Sequence, residues 1–204
     1  MLDVKHGIFG SLQNNCYLIT DVDSGESALV DCTEYSDKMK KFIDGANLKY
    51  ILLTHGHFDH IGGVESVKKN TGAKVVISAQ DEKMLSSSRE SLAAFAGAFH
   101  ENTAADIIVN DGDELLLGNS VIKVMLTPGH TKGGVCYICD DLIFTGDTLF
   151  FCSCGRTDFP GGSYTEIVKS LKRIAALDGD YTLYPGHDRI STLSFERCNN
   201  PYMK

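Results

Sequence analysis

The sequence predicts an α/β fold of the mixed, α+β kind, in which two β-sheets pack together with helices outside them. Strand-like and helix-like segments alternate in blocks: strands and helices, then strands and helices again, the order that layered packing produces. The chain has 204 residues, 43% hydrophobic and 23% charged, enough for one soluble domain whose core needs no disulfide staples. No linker, low-complexity run or short internal repeat divides it, so residues 1–204 are expected to form a single domain.

The elements follow in order. Asn15 to Thr20 is apolar and β-prone, residues 21–26 are turn-forming, and Ser27 to Cys32 returns, which together predict a hairpin. Ser36 stands where a helix N-cap belongs, with Met39, Phe42 and Ile43 at helical spacing and Gly45 as the stop. Leu48 to Leu53 is a buried strand. Val64 to Lys69 reads as a helix ended near Gly72, and Lys74 to Ile77 as a short strand. Asp81 to Phe99 reads as a helix whose Leu85, Leu92, Phe95 and Phe99 are expected to pack on a sheet; the other reading is a lid whose Phe95 or Phe99 reaches a pocket. Residues 114–117 and 121–126 flank a Gly118-Asn119 turn, a second hairpin. Gly134 to Cys139 and Leu142 to Thr145 are strands joined by an Asp-Asp turn. Tyr164 to Leu177 is an amphipathic helix, and Tyr181 to Tyr184 is the last strand.

Chemistry concentrates at the ends of these strands. Thr54-His55-Gly56-His57-Phe58-Asp59-His60 places three histidines and an aspartate directly after a buried strand. Imidazole and carboxylate are the usual ligands of zinc, iron and related ions. His55 and His57, two apart, point the same way near a strand end, while Asp59 and His60 follow where the chain turns toward a second position. Three more strand-like runs end in Gly-His130, Gly-Asp147 and Gly-His187. Five histidines and two aspartates suit two adjacent ions; one structural zinc needs only four ligands and would keep no open position. A non-enzymatic zinc module is therefore the weaker reading.

This set, H-x-H-x-D-H at His55 to His60 followed by His130, Asp147 and His187, resembles the metallo-β-lactamase superfamily. The resemblance spans roughly Asn15 to His187. It implies a four-layer αββα sandwich and two divalent metal ions, zinc first, with iron or manganese as alternatives. It assigns His55, His57 and His130 to one ion and Asp59, His60 and His187 to the other, with Asp147 bridging. Within the superfamily the sequence is similar to glyoxalase II, the hydroxyacylglutathione hydrolases, in their short single-domain bacterial form. Gly146 to Phe150, the run Gly155-Arg156-Thr157-Asp158-Phe159-Pro160-Gly161-Gly162 and Asn199-Asn200-Pro201 carry that likeness. The implied reaction is hydrolysis of a thioester, such as an S-2-hydroxyacylglutathione, by a hydroxide held between the ions. Asp59 and Asp147 are the implied catalytic residues. Ligand histidines must be neutral, so activity is expected to fall below about pH 6, near the ordinary imidazole value. Long glyoxalase II enzymes carry a further helical domain that supplies much of the glutathione site; the chain stops soon after His187, which leaves the thiol carrier open. Two other readings share the ligands: a persulfide dioxygenase with a single iron, and a lactonase.

Further residues offer contacts to substrate or support to the ligands. Arg156 aligns with a basic residue of the glyoxalase II family and would suit a substrate carboxylate. Lys132 and Tyr164 are the further expected contacts, each with a plain alternative as a solvated lysine and a packed helix-start residue. Asp31 closes its strand beneath the metal loops and is read as orienting a ligand. Cys136 and Cys139, three apart on a strand, face opposite sides and make no redox or zinc pair. Cys152 and Cys154 share one side and read as small apolar fillers.

Composition excludes several classes. The net charge of −8 and pI near 5.3 argue against a nucleic acid or an anionic membrane as partner. No apolar run is long enough to span a bilayer. The N-terminal residues lack the pattern of a signal peptide, and seven scattered cysteines do not form a disulfide framework. The expected setting is the reducing cytosol, with a small-molecule thioester as partner.

Overall fold

The computed structural model describes residues 1–204. Its first sheet takes six strands in sequence order: β1 (Leu2–Phe9), β2 (Asn14–Asp21), β3 (Glu26–Val30), β4 (Asn47–Leu52), β5 (Lys74–Ser78) and β6 (Ile107–Val109). Strands β1 to β3 pair antiparallel through tight turns, and β3 to β6 pair parallel. Parallel neighbours need crossovers, and helices supply the first two. These are α1 (Asp37–Phe42), capped by the Ser36 side chain, then α2 (Phe58–Ile61) with α3 (Val64–Thr71), which stops at left-handed Gly72.

The second sheet is built from β7 (Glu114–Leu117), β8 (Ser120–Leu126), β9 (Val135–Cys139), β10 (Leu142–Gly146), β13 (Thr182–Pro185) and β14 (Ser191–Thr192), in the spatial order β14-β13-β10-β9-β8-β7. The short pair β11 (Leu149–Phe150) and β12 (Ser153–Cys154) forms a flap after β10. Helices α5 (Tyr164–Ala175) and α6 (Leu193–Asn199) cover this sheet's outer face.

Three buried clusters define the layers. Alternation along β2 shows the division: Cys16 and Leu18 face α1 and α3, whereas Tyr17 and Ile19 face the other sheet. The middle cluster, with Leu52, Val76, Leu117, Val124, Tyr137 and Phe144, is the contact between sheets. Ile167, Leu171, Ile174 and Leu193 seal the second sheet against its helices. The expected αββα sandwich is what the chain forms. Cys136 and Cys139 lie in different clusters, on opposite faces of β9.

Hydrogen bonds sew the sheets at both ends of the strands. At one end Ser120 Oγ donates to Asp21 Oδ2 at 2.7 Å and Gly118 N to Glu26 Oε2 at 2.7 Å. At the other, Val135 N donates to Thr54 O at 2.8 Å, Tyr137 Oη to Leu53 O at 2.9 Å, and Tyr17 Oη to Pro185 O at 2.7 Å.

One expected helix is corrected. Residues 81–99 form a 3₁₀ turn at Glu82–Ser86 and the four-residue α4 (Ala93–Ala96), not a continuous helix. Serines 86–88 compete for the backbone, with Ser87 Oγ accepting from Glu90 N, and Leu92 adopts a left-handed φ of 66°. Leu85 is buried as expected, but Phe95 and Phe99 are 85% and 77% exposed, so they are not core.

Candidate metal centre

All seven sequence-derived ligands meet at one end of the sandwich, on loops that leave strand C-termini. His55 and His57 follow β4, and Asp59 and His60 sit on α2 immediately after. His130 follows β8, Asp147 follows β10 and His187 follows β13. Their ligand atoms form three overlapping groups, each within 4.8 Å: His55-His57-His130, His55-His60-Asp147 and Asp59-His60-His187. Asp147 touches both outer groups. Its Oδ1 lies 3.4 Å from His60 Nε2, and its Oδ2 lies 3.5 Å from His130 Nε2 and 3.7 Å from His187 Nε2.

The donor set fits cations. Buried His55 Nε2, His57 Nε2 and Asp147 Oδ1 have no hydrogen-bond partner, a costly arrangement for protein alone. His130 Nδ1 donates to Arg156 O at 2.8 Å, which turns the Nε2 lone pair toward His57 Nδ1, 2.9 Å away. Two nitrogens this close require a proton or a cation between them. Nitrogen and carboxylate donors of this kind suit zinc, iron or manganese.

Supporting residues fix the rings. Asp31 accepts from His60 Nδ1 at 2.8 Å, and from Thr54 N and Oγ1, each at 2.8 Å. His60 Nε2 is thereby left for a ligand role, the usual arrangement behind a metal-binding histidine. Two supports went unnoticed in the sequence. Buried Asp81 accepts from Gly56 N at 3.3 Å, Thr131 Oγ1 at 2.7 Å and Gly133 N at 2.8 Å, so it ties the His55–His57 loop to the His130 loop. Buried Asn14 places Nδ2 2.9 Å from Asp59 Oδ2, 3.2 Å from His60 Nε2 and 3.3 Å from His187 Nε2. Asp81 follows β5 at the same end of the sheet as the ligands, a signal that was present in the sequence. Nothing local singles out Asn14.

The glycine before each late ligand has a steric reason: a Cβ on Gly129 would meet the Ile167 backbone, and the other two face the cluster itself. Gly146 is left-handed (φ 48°), and a Cβ there would collide with Thr54. A Cβ on Gly186 would collide with Asp147 Oδ1 and lie 2.8 Å from His60 Cε1. Gly186→Ala is therefore expected to push Asp147 and His60 apart and lower bound metal, as measured by elemental analysis of the purified variant. Full metal content in that variant would contradict this packing.

Charge divides the histidines. Burial, then the neighbouring imidazoles, hold His55 well below its ordinary value; burial, then His130, lower His57 to about 3. Burial would also lower His60, but Asp59, Asp147 and Asp31 outweigh it and raise the ring to about 10. His187 is raised too, with burial opposed by its bond to Asp59 and the charge of Asp147. In the metal-free protein the ligand histidines therefore do not share one midpoint. Metal-free His60 carries a proton at neutral pH that an ion must displace, whereas His55 and His57 carry none. Affinity at the Asp59-His60-His187 group should fall as the pH is lowered, because the protons that His60 and His187 hold must be displaced by the ion. Zinc competition against a chelator at pH 6, 7 and 8 checks this; one ion with pH-independent affinity there would refute it.

The metal atoms' expected place is the floor of a cavity of 620 Å³. Leu12, Leu92, Phe95, Phe150 and Phe159 contribute apolar walls, and Cys154 also lines it. Arg156 lines it, but not as a free cation. Its Nε and Nη2 each lie 2.7 Å from an Asp158 oxygen, and its guanidinium stacks 3.8 Å above the Phe159 ring centroid. The carboxylate two residues along has already taken the fork expected for substrate. Lys132 and Tyr164 are exposed and outside the cavity lining; Lys132 sits instead in a groove beside Gly161.

Comparison with known proteins bears on the whole arrangement. The sequence model described as the metallo-beta-lactamase superfamily matches residues 9–187. The hydroxyacylglutathione hydrolase GloC of Haemophilus influenzae is 32% identical, over 95% of this chain and 94% of that one. A hydroxyacylglutathione hydrolase of Maricaulis maris is 38% identical, over 86% of this chain and 62% of that one. Among solved structures, the BLEG-1 B3 metallo-beta-lactamase superposes with a TM-score of 0.92 at 28% identity, covering 100% of both chains. TTHA1623, solved in a di-iron-bound form, gives 0.86 at 30% identity, covering 98% of this chain and 100% of that one. ETHE1 of Myxococcus xanthus gives 0.80 at 27% identity, covering 98% and 83%.

Proposed function

This chain belongs to the metallo-β-lactamase superfamily, and on that premise we propose that it is a binuclear metal-dependent hydrolase of thioesters. The observation that carries the reading is the placement of Asp147 between two imidazole groups, against His130 on one side and His60 and His187 on the other. One carboxylate serving two ligand groups is what adjacent ions need. His55, His57 and His130 would hold one ion, Asp59, His60 and His187 the other, and Asp147 both. Bound divalent ions supply an ionised water at neutral pH and a Lewis acid for a carbonyl oxygen.

The protein's own residues do the rest. Asp31 and the Arg156 carbonyl lock the tautomers and orientations of His60 and His130. The apolar walls of the cavity limit water and hold the scissile carbonyl over the ligand cluster. Water adds across the acyl C–S bond: a C–O bond forms, the C–S bond breaks, and the thiol departs with a proton. Thiolates leave readily, which agrees with a cavity lining that offers no uncommitted lysine or arginine as acid. The names of the relatives support the thioester class.

The test is thiol release from S-D-lactoylglutathione and from acyl thioesters of N-acetylcysteamine, with protein reconstituted separately with zinc, manganese or iron. Metal-dependent release that disappears in Asp147→Ala is the expected result. No release from any thioester by protein holding two ions rejects the reading. The Gly155-to-Phe159 loop and the likeness to ETHE1 favour one alternative, an iron dioxygenase; oxygen uptake by protein with a single iron would select it.

A further inference from the structure

Building on the thioester reading, we infer that the cavity above the ligand cluster accepts an apolar acyl group, and that Asp158 sets this preference by occupying Arg156. Three independent features point there. First, the cavity's size exceeds what a two- or three-carbon acyl group fills: 620 Å³ lies within the range of pockets for ligands of drug size. Second, its side walls are carbon. Leu12, Leu92, Phe95, Phe150 and Phe159 surround the entrance above the histidines. Phe95 is 85% exposed, on a four-residue helix held between left-handed Leu92 (φ 66°) and Gly97 (φ 64°). No core packing explains a phenylalanine kept there in water; a ligand that covers it gains the apolar area.

Third, the cavity has no charge to spare for an anionic substrate. Arg156 is the only lysine or arginine in its lining. The Nε–Nη2 edge of its fork is bonded to both oxygens of Asp158, and one face rests on Phe159. A substrate carboxylate that took this edge would have to displace a carboxylate two residues away, already in bidentate geometry, and the charge it met would be one that Asp158 already balances. The nearby Arg189 lines a separate groove, which shares Leu12 and His187 with this one, and is stacked on Phe151. Common thiol carriers are themselves polar or anionic, so an apolar substituent belongs to the acyl half of the molecule.

The experiment uses zinc-loaded protein and N-acetylcysteamine thioesters of acetate, butyrate, hexanoate and octanoate, with S-D-lactoylglutathione for comparison. The kcat/KM is expected to rise about tenfold or more from acetyl to hexanoyl. Phe95→Ser should flatten that rise. Asp158→Asn should release Arg156 and shift the ratio toward S-D-lactoylglutathione. A flat series, a wild-type preference for S-D-lactoylglutathione over the hexanoyl ester, or an unchanged ratio in Asp158→Asn would each overturn the inference while leaving the thioester reading intact. Calorimetry separates the two claims from the other side. The uncleavable thioether S-hexyl-N-acetylcysteamine should bind more tightly than its S-methyl analogue even if no thioester is hydrolysed; equal affinities would overturn the inference.

Discussion

Asp147→Ala is expected to lower thioester turnover by about three orders of magnitude. Charge stabilisation by a bridged ion pair is worth several kcal/mol, and each tenfold in rate corresponds to about 1.4 kcal/mol. The structural reason is that three imidazoles, His60, His130 and His187, face this one carboxylate at 3.4 to 3.7 Å. Without it, the two proposed ligand groups would share no carboxylate between them. Elemental analysis should therefore show fewer than two ions per chain alongside the lost rate. Asp147→Asn keeps the shape and removes the charge, so it separates bridging from packing. Wild-type turnover with two bound ions in the alanine variant would contradict the binuclear reading.

Asp31→Ala is expected to weaken zinc binding at the proposed Asp59-His60-His187 group by about ten- to a hundredfold, the usual cost of removing the partner behind a ligand histidine. Three donors lose their acceptor at once: His60 Nδ1, Thr54 N and Thr54 Oγ1. Asp31 also sits at a left-handed φ of 56°, where asparagine is tolerated and alanine is strained. Asp31→Asn consequently keeps the backbone and much of the bonding while removing the charge. Calorimetric zinc titration should show the weakening confined to one of two binding steps. Equal weakening of both steps would mean that Asp31 supports the whole loop cluster and not His60 in particular.

The candidate ligands were legible because their chemistry is local and their positions repeat. Each lies within seven residues of the end of an apolar run, and a buried strand must end in a loop at the sheet's rim. The glycines before Asp147 and His187 were visible as a pattern, though only the structure shows that Thr54, Asp147 and His60 leave no room for a Cβ. Asp31 was found by the same strand-end logic, which, applied to β5, would also have reached Asp81. The failures share a cause: they depend on neighbours distant in sequence, or on backbone direction. Leu85, Leu92, Phe95 and Phe99 have helical spacing, but spacing cannot say whether a sheet stands opposite, and here Phe95 and Phe99 meet solvent. Strand β1 was missed because Asp3, Lys5 and His6 interrupt its apolar residues at an edge. Arg156 is legible as a candidate substrate contact, while its pairing with Asp158 depends on how the loop bends between them.

The seven ligands divide between the two sheets: His55, His57, Asp59 and His60 follow β4, while His130, Asp147 and His187 follow strands of the second sheet. Any ion held by the proposed groups is then a clasp between the two halves of the sandwich. The Ser120–Asp21 and Gly118–Glu26 bonds form the spine, at the opposite end of β2 and β8, about 20 Å away. The molecule is built like a book, bound at one edge and fastened at the other. Chelation would unfasten the cover without loosening the binding. Amide exchange should therefore quicken around Thr54 and Val135, next to the clasp, and stay slow around Leu117 and Ser120, beside the spine.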